Sequence, residues 1–258
     1  MRLPLLLLCT ILIAVGGLVV GHATAPVPAT ASSPVVADNA GDGPSNLNRS
    51  IHDYLVTHPE VLVEAMQALE RKQNVERDTA VQKAIQEHRK ELTSDPDSPI
   101  SGNPNGDVTV VEFSDYQCPY CKRSFPAVKS VVAADGKVKL VHKDLPILGE
   151  ASRIAALAAL ASRNQNKHQA FHDALMSFNG KLDLDRILDI ASSVGIDVAR
   201  LQKDMEDPKL DAILKRNQAL AQALDVRGTP AFVIGDQFVP GAVDADTLKQ
   251  LIAEARKG

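Results

Sequence analysis

The chain of 258 residues is long enough to bury one full-sized hydrophobic core and to have residues left over. Aromatic residues make up only 3% of the chain and tryptophan is absent, so we expect a core of alanine, valine, leucine and isoleucine. The formal net charge is -4 and no basic block occurs, which argues against a nucleic-acid partner.

The first residues have the pattern of an export signal. Arg2 is followed by an apolar run from Leu3 to Val20 and then by small residues. We predict a signal peptide over residues 1–29, whose cleavage site the sequence does not fix. Because the apolar run is long for a signal, an uncleaved membrane anchor is the alternative. In both cases the rest of the chain is predicted to be exported.

Residues 30–46 are rich in alanine, proline, serine and glycine and predict a flexible tether. Amphipathic helices are predicted over residues 47–93, where apolar side chains recur at helical spacing. The apolar positions are Leu47, Ile51, Leu55, Val61, Leu62, Ala65, Met66, Leu69, Val81, Ile85 and Leu92. These stripes are too small for a separate core, so they either lie on the rest of the protein or pair with copies of themselves. The prolines and glycines of residues 94–106 favour a hinge or linker.

A valine-rich stretch, Asp107 to Tyr116, predicts a buried strand, and the sequence after it predicts a helix that starts near Cys118. The first turn of a helix has unpaired N–H groups and the positive end of the helix dipole, which favour a thiolate at Cys118. Pro119 suits the first helical position, where no N–H is needed. Cys121 lies one turn further into the helix.

The two cysteines allow three interpretations. Apart from Cys9, which lies in the signal, Cys118 and Cys121 are the only cysteines of the chain. A structural metal site needs about four ligands, and this pair supplies two. A stabilising disulfide closes a long loop, whereas this one would close a very short one. Reversible redox chemistry is therefore the favoured interpretation.

The stretch from Val226 to Val243 predicts a β-hairpin with its turn at Gly235-Asp236. Thr229-Pro230 opens the first strand, and a proline there is either an ordinary edge residue or a cis proline that faces a site. Between the two halves, residues of about 150–224 predict inserted helices. His168 and His172 are spaced i, i+4 on one of them, and a polar helix face is favoured over a metal pair.

Taken together, these motifs resemble the thioredoxin fold, and in particular the exported thiol–disulfide oxidoreductases of the DsbA superfamily. The stretches that carry the resemblance are GNPNGDVTVVEFSDYQCPYCK at 102–122, HKDLPILGEAS at 142–152, and the Gly-Thr-Pro hairpin. The resemblance implies an α/β fold, a thioredoxin fold with an inserted helical domain, for residues 107–258. The predicted amphipathic helices of residues 47–93 precede this catalytic domain, and the resemblance also implies that the protein is periplasmic.

The resemblance also implies roles for individual residues. Cys118 would be the attacking thiolate and Cys121 the resolving thiol. No cofactor is expected besides the redox-active disulfide that they form. Pro230 would be the cis proline. The residues expected to contact substrate are Thr229, Pro119 and Tyr120. Glu112 would be the buried acid that exchanges the proton of Cys121, and its alternative is a strand carboxylate with its head in solvent.

The stretch Asp-Tyr-Leu-x-x-x-Pro-Glu-Val-Leu, residues 53–62, resembles the N-terminal oligomerisation region of ScsC-like (copper-sensitivity suppressor C) proteins. This implies a homo-oligomer, such as a trimer, that acts as a disulfide isomerase or reductase. Its partners would be exported proteins with thiols or disulfides and a DsbD-like or DsbB-like membrane redox protein. A monomeric disulfide oxidase and a Cu(I)-binding protein that uses Cys118 and Cys121 are the alternatives.

Overall fold

The computed structural model describes residues 44–257, and the side chains of residues 46–257. The described residues divide into two units, with the boundary between Pro59 and Glu60. The predicted signal peptide and most of the predicted tether lie outside the described residues. No helix within residues 44–257 is both long enough and apolar enough to cross a membrane.

Five β-strands and ten α-helices occur in the described residues. The strands are β1 Ile100–Gly102, β2 Val108–Ser114, β3 Val138–Asp144, β4 Ala231–Ile234 and β5 Gln237–Pro240. The helices are α1 Pro44–Thr57, α2 Glu60–Glu87, α3 Arg89–Thr93, α4 Pro119–Asp135, α5 Glu150–Ala161, α6 His168–Ser177, α7 Leu184–Ser193, α8 Val198–Asp204, α9 Pro208–Ala223 and α10 Ala245–Ala255.

The strands form one mixed sheet in the order β1-β3-β2-β4-β5. β2 and β3 are parallel and are joined through α4, whereas the other neighbouring pairs are antiparallel. Most residues of β2 and β3 and all of β4 are buried, because helices cover both faces of the sheet. This is the predicted thioredoxin fold.

The two faces of the sheet have separate cores. On one face α4 and α10 pack with Val110 and Phe232, and the buried helix residues are Val128, Val131, Val132, Leu248 and Ile252. On the other face the last part of α2, together with α3 and α9, packs with Val111, Phe113 and Val233. The helix residues on that second face include Val81, Ile85, Leu92, Leu220 and Ala221.

The inserted helical domain comprises α5 to α9 and a short 3-10 helix, Ser162–Gln165. Every residue of α5 from Ala155 to Ala161 is buried, so this alanine-rich helix is the centre of the insertion. Three of the surrounding helices begin at an aspartate, Asp183, Asp197 or Asp207, whose carboxylate accepts a hydrogen bond from an N–H of the first turn.

The segment for which the sequence predicts a hinge, residues 94–106, is part of the sheet structure. It includes β1, which pairs with β3, and Asp95, whose carboxylate accepts a 2.9 Å hydrogen bond from the buried Lys143 Nζ. A Cβ atom at Gly102, which has a φ of 70°, would lie 2.5 Å from the carbonyl oxygen of Val138. The packed domain therefore begins before the predicted boundary at residue 93, because it includes the last part of α2.

Candidate active site

Cys118 is the N-cap residue of α4, with Pro119 in the first turn. Its backbone N–H donates to the carbonyl oxygen of Asp115 over 3.0 Å, and its own carbonyl accepts from the N–H of Lys122 over 3.1 Å. The thiol therefore lies beside the unpaired N–H groups of the helix start, as the sequence predicts. Cys118 and Cys121 are both free thiols in this structure.

The side chain of Cys118 is buried, with only 4% of its surface exposed. Its Sγ donates to the carbonyl oxygen of Thr229 over 3.1 Å. The peptide bond from Thr229 to Pro230 is cis. The loop before β4, about a hundred residues later in the chain, therefore covers the thiol.

Cys121 is fully buried in the core between α4 and the inserted domain, in the same cluster as Tyr116 and Phe125. Burial raises the pKa of its thiol, and the charges of Cys118 and Glu112 raise it further. Cys121 therefore stays a thiol until a base accepts its proton. Both cysteines belong to this cluster, but Cys118 lies at the N-cap of α4 against the Thr229 carbonyl, whereas Cys121 lies one turn further into the helix, which suits the attacking and resolving roles predicted for them.

Glu112 lies on β2 and is 3% exposed. Burial, and then the charge of Asp144, raise the pKa of its carboxyl to about 7. The alternative of a carboxylate with its head in solvent is excluded by this burial. A carboxyl with a pKa near neutrality can both accept and release a proton under physiological conditions.

Two polar residues of β3, His142 and Asp144, lie beside β2 at the site, although the sequence pattern alone does not indicate this. In the parallel register Glu112 is opposite His142, and Ser114 is opposite Asp144. Burial raises the pKa of Asp144 to about 7. Neither of its carboxylate oxygens has a hydrogen-bond partner within the described residues. Because His142 and Asp144 are polar, the sequence of β3 resembles that of an exposed strand. Only the pairing with β2 shows that both residues are buried.

His168 and His172 of α6 are buried, so the expected polar helix face is wrong. The ring centroid of His142 lies 4.3 Å from that of His172 and 5.7 Å from that of His168. The Tyr116 hydroxyl lies 3.0 Å from His172 Nδ1. Burial lowers the pKa of all three histidines, that of His172 to about 3, so they are neutral. No group of three histidine, cysteine, aspartate or glutamate side chains among the described residues is arranged to hold a metal ion.

A cavity of about 410 Å³ adjoins these buried groups. Glu112, His142 and His172 line it, together with Lys129 and Asp173, whose side chains form a 2.7 Å ion pair. A cavity of this size has room for water, and its lining includes polar groups that can bind water. The cavity therefore places space for water next to the residue with the raised pKa, Glu112.

The remaining predicted residues surround the thiol. Pro119 is exposed, and Tyr120 is 55% exposed with the guanidinium of Arg123 4.8 Å from its ring centroid. Thr229 is half-buried and Pro230 is buried. The fold therefore brings all seven predicted site residues to one end of the sheet, as two groups, one at the start of α4 and one in the loop before β4, above Glu112.

Two sequence families match the chain. Residues 109–253 match the DSBA-like thioredoxin domain, which is more than half of the chain. Residues 47–74 match the N-terminal domain of the copper resistance protein ScsC.

A solved thioredoxin-like oxidoreductase from Silicibacter pomeroyi DSS-3 is 50% identical, with a TM-score of 0.65, and the match covers 66% of this chain and 98% of that one. Proteus mirabilis ScsC in a transitional conformation is 31% identical, with a TM-score of 0.64, and the match covers 83% and 96%. A Na(+)/H(+) antiporter NhaA 1 from Salinispora arenicola is 28% identical over 167 residues, which are 64% of this chain and 26% of that protein.

The chain thus spans about a quarter of the length of such an antiporter. It spans nearly the whole of the two solved structures, both of which are at least 30% identical to it. The family match includes the buried carboxyl, both cysteines and the cis proline, and it extends through the inserted helices to α10. The chain belongs to the DSBA-like thioredoxin domain family.

Proposed function

We propose that the protein is an exported thiol–disulfide oxidoreductase that exchanges disulfides with other exported proteins through Cys118 and Cys121. The observation that carries the proposal is the Cys118 thiol at the start of α4, against the Thr229 carbonyl and above a buried carboxyl. The relative from Silicibacter pomeroyi, which is described as an oxidoreductase, supports the same chemistry.

In the reducing direction, the Cys118 thiolate attacks one sulfur of a substrate disulfide. The substrate S–S bond breaks, a mixed disulfide forms, and the other substrate sulfur leaves as a thiolate that takes a proton from solvent. Cys121 then loses its proton and attacks the Cys118 sulfur. The second substrate sulfur leaves as a thiolate and is protonated in turn. The substrate disulfide has then been reduced by two electrons, and Cys118 and Cys121 have been oxidised to a disulfide.

Glu112 is the proposed acceptor of the Cys121 proton. Burial raises the pKa of Cys121, so attack needs a base within the protein. The charge of Glu112 acts on Cys121, and its own pKa of about 7 makes it ionised for part of the time at neutral pH. The cavity beside Glu112 would then return the proton to water.

We favour a disulfide isomerase or reductase over an oxidase because of the N-terminal helices. The match to the ScsC N-terminal domain lies on α1 and the first part of α2. Large apolar side chains are exposed there: Leu47, Ile51, Tyr54, Val56, Leu62, Val63, Met66, Leu69 and Val75. Exposed apolar surface costs about 25 cal/mol per Å², and self-association would remove this cost.

Association would also place several active sites near one substrate. One site could hold a substrate with several wrong disulfides while another reacts, because the effective concentration is raised. The number of subunits, the periplasmic location and the membrane redox partner stay predictions, as does Cu(I) binding by the two thiols.

Variants of the two cysteines test the proposal. Cys121→Ala removes the resolving thiol and should accumulate mixed disulfides between Cys118 and substrate, visible as higher-mass bands on non-reducing gels. The matched Cys118→Ala variant should accumulate few. Equal trapping by both variants would contradict the assignment of roles. In cells, a mostly reduced Cys118–Cys121 pair selects isomerase or reductase, and a mostly oxidised pair selects oxidase.

A further inference from the structure

A groove of about 560 Å³ lies beside the loop that covers Cys118. Its walls come from α2, the start of α4, the loop before β4 and the turn after β5. We call it the arginine groove, because its lining includes Arg77, Arg123 and Arg227 together with Tyr120, Thr229 and Pro230. The groove thus begins next to the carbonyl that contacts the Cys118 sulfur.

The charges of the arginine groove do not balance. Asp225 is the one acidic residue among the described residues that line it. Its Oδ2 atom lies 2.8 Å from Arg77 Nε and 3.0 Å from Arg227 Nη2, so a single carboxylate faces two guanidinium groups. The hydrogen bond from Arg227 is the main reason that the pKa of Asp225 is below its ordinary value. With Arg123, the lining has a net positive charge.

Arg123 is the arginine best placed to bind a ligand. It is exposed, no acidic side chain of the described residues pairs with it, and its guanidinium stacks over the ring of Tyr120. Stacking holds the plane of the guanidinium and leaves its N–H edge free. Such an edge suits a carboxylate, which it can bind with two parallel hydrogen bonds.

The floor of the arginine groove is apolar. Pro230 and Ala231 are buried, and Phe238 of the edge strand β5 is half-buried. An apolar floor with a basic rim suits a polypeptide that presents apolar and acidic side chains together. It does not suit a strongly hydrated small anion, which gains nothing from an apolar floor.

We propose that the arginine groove binds the stretch of substrate polypeptide next to the reacting cysteine and prefers stretches with aspartate or glutamate. The proposal rests on the thiol–disulfide exchange proposed above, and it names the substrate class of that site. In this proposal α2 also contributes to substrate binding, in addition to its packing in the core, because Arg77 helps to form the wall of the groove. Cysteines flanked by acidic residues are then the preferred partners of Cys118.

Two peptides test this preference with the reduced, full-length exported protein. Each has a single cysteine joined by a disulfide to neutral 2-mercaptoethanol, and they differ only in glutamate or glutamine on both sides of the cysteine. Each rate is divided by the rate with neutral dithiothreitol, which removes the intrinsic reactivity of the peptide. We expect a preference for the glutamate peptide of about fivefold at low ionic strength. It should approach one at about 1 M salt, where charges are screened within a few ångströms.

The variant Arg123→Gln should lower this preference at least about twofold, and Arg123→Glu should reverse it. Lys215→Gln, at an exposed lysine of α9, makes the same charge change outside the groove and should leave the preference as it is. Any effect of Arg123 on the reactivity of Cys118 applies to both peptides and cancels in the ratio.

A wild-type ratio of one would overturn the proposed binding of acidic stretches in the arginine groove, and so would a ratio that Arg123→Gln and Arg227→Gln both leave unchanged. The proposed thiol–disulfide exchange would stand in either case. If the protein reduces neither peptide nor a small neutral disulfide, the proposed exchange fails, and the inference fails with it. The two failures are distinguished by the neutral disulfide.

Discussion

Two regions of this protein depart from the usual separation of polar surface and apolar core, and they do so in opposite directions. The N-terminal helices, α1 and residues 60–75 of α2, leave large apolar side chains in water. The floor beneath the cysteines buries Glu112, His142 and Asp144, each at most 3% exposed. We call these regions the free helices and the polar floor.

Both departures reduce the stability of the isolated chain, so each needs a reason outside folding. A partner that covers exposed apolar surface removes the free-energy cost of its contact with water. Buried carboxyls with a raised pKa suit proton transfer. The second half of α2 gives an internal reference. Val81, Ala84 and Ile85 belong to the same helix as the free stretch, yet they are buried in the core of the sheet. The comparison therefore separates a helix segment that has its partner within the chain from one that does not.

The largest expected effect comes from one substitution made in each half of α2. Ile85→Asp places a carboxylate in the core and should lower the free energy of unfolding by about 4 kcal/mol. Leu69→Asp changes a side chain that is 55% exposed and should alter the stability of the catalytic domain by less than about 0.5 kcal/mol. Urea unfolding of both variants measures this.

Leu69→Asp should instead weaken self-association, which light scattering would show as a lower mass at the same protein concentration. If Leu69→Asp unfolds the domain as strongly as Ile85→Asp does, the free stretch is part of the core and the comparison fails.

The polar floor predicts a pH-dependent effect of Glu112→Gln. Because the folded-state pKa of Glu112 is raised to about 7 from an ordinary 4.5, the wild-type fold loses stability as the pH rises from about 4.5 to 7. Glu112→Gln avoids this loss and should be more stable than wild type by up to about 3 kcal/mol at pH 8, with little difference at pH 4. Urea unfolding across this pH range measures it.

Glu150→Gln, at an exposed glutamate, is the matched control and should follow the wild-type curve. A Glu112→Gln variant that is less stable than wild type at pH 8 would mean that the carboxylate is held by favourable contacts instead of being destabilised by burial.

The smallest effect is expected for the surface ion pair that accompanies the apolar packing of α2 and α3 on the domain. Arg89 contacts the Asp236 carboxylate, and both side chains are about half exposed. Surface ion pairs contribute about 0–1 kcal/mol, so Arg89→Gln should cost less than 1 kcal/mol in urea unfolding. A cost close to that of Ile85→Asp would show that the docking of α3 and the end of α2 depends on this ion pair and not on apolar burial.

The sequence predicted those features that depend on local pattern. The strand before Cys118, the helix that starts at Pro119 and the hairpin at Gly235 follow from residues close together in the chain, and the structure contains all three. The burial of Glu112 was also expected, because the strand around it is apolar.

The rest depends on pairing between distant segments. His142 and Asp144 lie on the same face of the sheet as Glu112 because β3 pairs with β2 in this register, and a shift of one residue would place both on the opposite face. Likewise, the stripes of Leu69 and Ile85 look alike in sequence, and only the tertiary packing shows which of them is buried.

The central claim, that the free helices serve disulfide isomerisation by bringing active sites together, is tested most directly by one assay. The refolding of a substrate with scrambled disulfides is compared for the full exported chain and for residues 76–258, at equal concentrations of active sites. The shorter chain keeps Ile85, Cys118, Cys121 and Glu112 but lacks the free helices. We expect isomerisation to fall at least about tenfold, with the rate on a single small disulfide unchanged. Equal isomerisation by the two chains would contradict the account.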